Sequence, residues 1–324
     1  MKKCVALSLL FLISVCGIWG AGQSGAAGAS SDQWPTRPVQ IIVGNTPGSD
    51  TDFYARAYAT RLDAVLGRPV VVTNVPGANG AIGAHQVLNS APDGYNVMIW
   101  NSAMLVAMAM ETIDFGLDDF EMSCIAGRDD GNAVAVNVNS PYHTLRDLLD
   151  DSARRPGQVT FATPPAGNTH VAVMLLNQNY GAALNPVDMG GTAERAAALL
   201  GGHVHATLNA MGQAAQYRDA GQFRLLAVLG RERNSVVTDV PTAIEQGIDV
   251  AVLSPFFFAF PKGTPQVIVD RFTDAVQRVN QMPEYQEHIR NTLQARPVFI
   301  RGREAVNALQ AQYNDIMTIA HLLR

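Results

Sequence analysis

The chain has 324 residues, a formal charge of −5, 48% hydrophobic residues and 16% charged ones. A net negative charge with no basic run and no interleaving of basic and aromatic residues excludes nucleic acid as a partner. Of the three cysteines, Cys4 and Cys16 fall in the apolar N-terminal segment, so Cys124 alone remains beyond it and no internal disulfide forms there.

Lys2 and Lys3 precede an almost unbroken apolar run from Cys4 to Trp19, followed by a Gly/Ala/Ser-rich stretch to Ala29. The run is shorter than the ~20 residues of a membrane-spanning helix. Ala27-Gly28-Ala29 fits the small-x-small pattern accepted by signal peptidase. Residues 1–29 are therefore expected to be a signal peptide cleaved after Ala29, leaving a periplasmic protein. Lipidation of Cys16 would want a small residue before it, where Val15 stands. No second long apolar segment follows, so stable membrane insertion is not expected after cleavage. Residues 30–324 approach the roughly 250–300 residues at which single cores give way to several, so two domains are expected.

From Val39 the chain alternates strand and helix patterns. Val39–Val43 reads as a buried strand, Asp50–Leu66 as a helix, and Pro69–Thr73 as a second strand. Gly77–Ala91 reads as a glycine-led helix and Tyr95–Trp100 as a third strand. This βαβαβ order predicts a parallel sheet faced by helices, with the loops after the strands gathered on one edge, where ligands of open α/β sheets bind. The pattern resumes with strands at Ala133–Val138 and Val159–Ala162, helices at Thr144–Ser152 and up to Tyr180, a helix at Glu194–Leu200, and strands at His203–Leu208 and Phe223–Leu229. Pro241–Glu245 starts a short helix, Phe256–Phe260 is apolar and aromatic, and long helices over Pro265–Gln281 and Arg303–Leu323 close the chain.

Catalytic and cofactor signatures are missing from the sequence. No Walker A, H-E-x-x-H or G-x-S-x-G occurs. Gly77-Ala78-Asn79-Gly80-Ala81-Ile82-Gly83 occupies the position of a dinucleotide fingerprint but has G-x-x-G-x-x-G spacing, with no acidic residue at the expected distance. His203 and His205 share a face of an expected strand, but no further metal ligands have matching spacing. Cys124, in Met122-Ser123-Cys124-Ile125-Ala126, reads as a small buried hydrophobe. No cofactor, metal site or enzymatic activity is expected. What remains are two polar loops ahead of helices, Asn45 to Asp52 and Thr163 to Thr169. Helix N-termini offer unpaired N–H groups to anions, although Ser, Thr, Asp and Asn are also ordinary helix caps.

An ordered series of short motifs carries a family resemblance: Trp34-Pro35-x-Arg37-Pro38, Ile41-Ile42-Val43, Pro47-Gly48, Thr51-Asp52-x-x-Ala55-Arg56 and Leu66-Gly67-Arg68-Pro69-Val70-Val71-Val72. It continues with Asn74-x-Pro76-Gly77-Ala78-x-Gly80, Ile82-Gly83 and Ala91-Pro92-Asp93-Gly94-Tyr95, then Leu199-Leu200-Gly201-Gly202 and Arg224-Leu225-Leu226-Ala227-Val228. Asp239-Val240-Pro241-Thr242, Glu245, Gly247 and Pro261-x-Gly263-Thr264-Pro265 complete it. In these motifs and their order the sequence resembles the Bug-type solute receptors of tripartite tricarboxylate transporters.

The resemblance implies an α/β, type II periplasmic-binding-protein fold: two α/β domains with a ligand cleft between them, at 30–132 plus 253–324 and at 133–252. It implies capture of a small organic solute, commonly a carboxylate, and delivery to membrane permease subunits. A periplasmic sensor docking on a signalling kinase, without transport, is the alternative function. The ligand-binding positions implied are Asn45, Gly48, Ser49, Asp50, Thr51 and Asp52, with Asn101 and Ser102. In the second domain they are Thr163, Gly167, Asn168, Thr169, Asp188, Gly190 and Asn209. Ser49 and Thr51 are expected to donate to the ligand, and Asp52 either lines the cleft or caps the following helix. The sequence departs from the family at Asn45, Ser49, Asp50, Asp188, Met189, Pro255 and Phe257. Asp50 and Asp188 replace uncharged residues. Either they point to solvent, or the ligand pairs a carboxylate with a donor such as an amine, amide or hydroxyl.

Overall fold

The computed structural model describes residues 33–129, 131–164, 167–235 and 237–323. The expected signal peptide, with Cys4, Cys16 and the Ala29 cleavage point, lies outside the described residues. The first half of the fold comprises β1 (Val39–Val43), α1 (Asp50–Leu66), β2 (Val70–Asn74), α2 (Ala81–Leu88), β3 (Asn96–Asn101), α3 (Ala103–Ala109) and β4 (Phe120–Asp129). Next come β5 (Ala133–Asn137), α4 (Leu145–Arg154), β6 (Thr160–Ala162), α5 (Asn168–Tyr180), β7 (Asn185–Val187), α6 (Thr192–Leu200), β8 (Ala206–Asn209), α7 (Met211–Asp219) and β9 (Phe223–Val228). The chain ends with β10 (Ser254–Pro261), α8 (Gln266–Asn280), α9 (Pro283–Leu293), β11 (Ile300–Arg301), α10 (Gly302–Met317) and α11 (Ala320–Leu323).

These strands form two sheets, ordered β11-β4-β10-β3-β1-β2 and β7-β6-β8-β5-β9. The chain leaves the first sheet after β4, builds the second, and returns at β10. As the βαβαβ pattern predicts, β1 lies parallel to both β2 and β3. The sheet is nevertheless mixed, because β10 inserts antiparallel between β3 and β4. Every residue of β10 from Pro255 to Pro261 is buried, which explains its unbroken apolar run: a strand covered on both faces loses the alternation of a half-exposed one. On one face of this sheet, Tyr54, Tyr58 and Leu62 of α1 pack with Phe258, Phe260, Phe272 and Tyr285. On the other, Trp100, Met104, Leu309 and Ile316 join a core that continues into the second half of the molecule through Leu176, Leu226 and Val252.

The strand expected at His203–Leu208 begins only at Ala206. His203 and His205 sit in the preceding turn. His205 Nδ1 lies 2.8 Å from Thr160 Oγ1 and accepts from the Thr160 N–H at 3.1 Å. Burial, with nearby Arg155, lowers the His205 pKa. Among the described residues no cluster of His, Cys, Asp or Glu is arranged to hold a metal, and no helix is long and apolar enough to cross a membrane.

Candidate functional site

The loop after β1 is held by one buried carboxylate. Asp52 Oδ2 accepts from the Gly48 N–H at 2.9 Å and from Arg56 Nε at 2.9 Å, and Oδ1 accepts from Asn74 Nδ2 at 2.9 Å. The same Asn74 amide donates to Asn45 O at 3.0 Å, tying the loop to the end of β2. Gly48 has φ +82°, a conformation glycine adopts without strain. Burial pushes the Asp52 pKa up, but the bonds from Arg56, Gly48 and Asn74 outweigh it and hold the group below its ordinary value. Asp52 is thus a buttress for the loop, and its side chain does not line the cleft. Ser49 is the N-cap of α1, its Oγ accepting from the Asp52 N–H at 3.3 Å. Its hydroxyl proton remains available to another acceptor. The Asp50 and Thr51 N–H groups open the helix, where no intrahelical acceptor exists for them.

These groups face a cavity of about 460 Å³ between the two sheets, within the range of small-molecule sites. Asn45, Gly48, Ser49, Asp50, Thr51 and Asn101 line it from the first sheet's side, together with Asp129, Ser254 and Phe256. From the second sheet's side come Asn132, Thr192 at the start of α6, and Ala210, Gly212, Gln213 and Gln216 around the start of α7. First-turn N–H groups of three helices therefore border one polar cleft. The lining contains the carboxylates of Asp50 and Asp129 and, among the described residues, no Lys, Arg or His. Asp50 keeps contact with solvent through the cleft mouth. Its carboxylate makes no hydrogen bond or ion pair among the described residues, and the protein around the cleft raises its pKa above the ordinary value.

The remaining positions named from sequence lie elsewhere. Asn209 is fully buried; its Nδ2 donates to Oε1 of Gln213 at 2.7 Å, so it touches the cleft only through that residue. Asn168 donates to Ser254 Oγ at 2.5 Å but lines a second cavity, of about 230 Å³, together with Arg128, Val171 and Leu175. Thr163 and Thr169 bond each other at 2.6 Å, buried at the start of α5, whose N-cap is Gly167. Asp188 is exposed, and its Oδ1 accepts from the Gly190 N–H at 2.9 Å, closing a local turn outside the cleft lining. Ser102 is buried at the start of α3.

The sequence reading missed Asp129, Asn132, Thr192, Gln213 and Ser254. Asp129 and Asn132 flank the first crossing between sheets, and Ser254 pairs with Asp129 at the second. The two strands there separate the cleft from the second cavity: Asp129, Ser254 and Phe256 face the cleft, and Arg128 and Pro255 face the other side. The polar run after β4 and the Gly-Thr and Asn-Ala steps before α6 and α7 were the available signals.

The comparisons agree with this architecture. A family model described as tripartite tricarboxylate transporter family receptor matches residues 54–319. Protein BugT of Bordetella pertussis is 35% identical over 270 residues, covering 81% of this chain and 82% of its own. A TctC solute-binding protein from Polaromonas, solved without ligand, superposes with a TM-score of 0.73 at 26% identity, covering 90% of this chain and 98% of that one. Rpa4515 of R. palustris, solved with adipate, gives a TM-score of 0.76 at 24% identity over 90% of this chain and 97% of its own.

Proposed function

This chain belongs to the tripartite tricarboxylate transporter receptor family, and from that premise we propose that it captures a small organic acid between its two sheets and hands it to the permease subunits of a membrane transporter. The observation that carries the reading is the cleft itself, bordered from both sides by helix N-termini and polar side chains. First-turn N–H groups of α1, α6 and α7 are donors suited to a carboxylate. The adipate in the R. palustris neighbour supports a ligand of that class. Residues 30–132 with 253–324 form one domain in this reading and 133–252 the other, closing on the solute about the two crossing strands. The protein acts as a receptor and catalyses no reaction. It is exported, with cleavage after Ala29.

Thermal-shift screening against carboxylates, amino acids, amides and aromatic acids tests the reading. A solute that binds only the folded protein at 100 times its Kd stabilises by about 2.7 kcal/mol. A specific hit is expected; silence across the panel at millimolar concentration contradicts it. Mass spectrometry of the exported protein should find Ser30 at the N-terminus, and an intact Met1 or a lipid on Cys16 would refute the export reading.

A further inference from the structure

We propose that the solute carries a protonated nitrogen as well as its carboxylate, the ammonium held by Asp50 and the carboxylate by the first turns of α6 and α7. The inference rests on the receptor reading above and specifies the ligand class of that same cleft.

Four observations carry it. The cavity is lined by two carboxylates and, among the described residues, by no cationic side chain. The Asp50 carboxyl group, exposed in that lining, has no hydrogen-bond or ion-pair partner among the described residues. Asn45 Oδ1 and Asn132 Oδ1, both on lining residues, are buried acceptors without a hydrogen-bond partner. Buried acceptors of this kind are normally satisfied, and a ligand bringing several N–H donors satisfies them. Finally, Asp188 is committed to the Gly190 N–H and lies outside the lining, so the unpartnered carboxyl group, that of Asp50, sits on the first sheet's side. The donors for a carboxylate on the opposite wall are the helix starts at Thr192 and Met211. A dicarboxylate spanning this cleft would place one carboxylate against Asp50, with no cationic side chain in the lining among the described residues. A solute with an ammonium at one end and a carboxylate at the other matches both walls.

The test compares ω-amino monocarboxylates of three to six carbons with dicarboxylates of the same lengths. Each is titrated calorimetrically into the native protein and into Asp50→Asn at pH 7, with urea midpoints confirming that the variant is folded. The native protein should bind at least one ω-amino acid tenfold or more tightly than its matched dicarboxylate. Asp50→Asn should remove most of that preference. A dicarboxylate that binds the native protein as tightly as its amino partner, or a preference unchanged in Asp50→Asn, overturns the inference and leaves the receptor reading standing. So does capture of a solute without a cationic group from the wider panel while both series are silent. Silence of both series and of the whole panel overturns the inference and the receptor reading together.

Discussion

Asn101 Nδ2 donates to Thr51 Oγ1 at 2.9 Å, while Asn101 Oδ1 accepts from the Ala103 N–H at 2.9 Å. The Asn101 side chain is thereby fixed by the first turn of α3, and it in turn fixes the Thr51 hydroxyl. Because the oxygen already accepts, its proton is left to donate into the cleft that Thr51 lines. Thr51→Val keeps the shape and removes that donor. It should weaken the strongest solute of the panel about tenfold, the ~1.4 kcal/mol expected for one hydrogen bond. Calorimetry on the native and variant proteins decides it, and unchanged affinity would remove Thr51 from the site.

Asp52 acts on the same loop through stability. Asp52→Ala leaves the Gly48 N–H without its acceptor and removes one acceptor each from the Asn74 amide and Arg56, which keep their bonds to Asn45 O and Asn74 Oδ1. We expect a loss of about 2–4 kcal/mol in urea unfolding of the unliganded protein. The sign with pH follows from the lowered pKa. The stability that Asp52 contributes is complete above the ordinary carboxylate value and is lost as pH falls through the depressed one. The difference between native and variant proteins should therefore shrink in strong acid and stay constant near neutrality.

Gly212 marks where the two halves approach. A Cβ there would sit 2.8 Å from the backbone oxygen of Thr292, at the end of α9. Gly212→Ala should hold the halves apart on that side. Solute affinity is expected to fall about tenfold, with unliganded stability changed by less than ~1 kcal/mol, since alanine favours the helix. Small-angle scattering with solute should show a larger radius for the variant; equal radii would mean that the contact does not govern closure.

Asp50 sets the pH dependence of binding. Its raised pKa means that it takes up a proton before an ordinary carboxylate as the solution is acidified. Asp129 is the other charged side chain lining the cleft, whereas the Asp52 carboxylate is turned to Arg56. Affinity for an ω-amino acid should fall as acidification carries Asp50 through that raised value, and Asp50→Asn should flatten the curve. An identical pH profile in both proteins would contradict the assignment.

The scaffold was more legible in the sequence than the site. The first strand and helix, Val39–Val43 and Asp50–Leu66, are found where their patterns place them because burial periodicity and the Ser49 cap are local signals. The strand Phe120–Asp129 was not read: Ser123, Cys124 and Gly127 blur its β-pattern, and Gly127 is there because the Tyr54 ring leaves no room for a Cβ. Helix α9 was missed because its exposed face makes Pro283–Leu293 look polar, with only Tyr285 and Ile289 buried. In the site, Asn45 to Thr51 could be named because one loop and one helix start hold them. Asp129 and Ser254 could not: they are 125 positions apart in sequence and meet only through the β4–β10 pairing. Asp50 and Asp188 looked equivalent as charged replacements. Only the fold separates them, one in the cleft and one closing its own turn.

The central claim, that the cleft between the sheets is the solute site, is tested most directly by one calorimetric titration. The strongest solute of the panel is titrated into the native protein and into Thr192→Trp, which fills the cleft from an exposed position on the wall opposite Asp50. We predict one site per chain in the native protein and no measurable heat of binding in the folded variant. Equal affinity and stoichiometry in the two proteins would place the solute elsewhere and contradict the account.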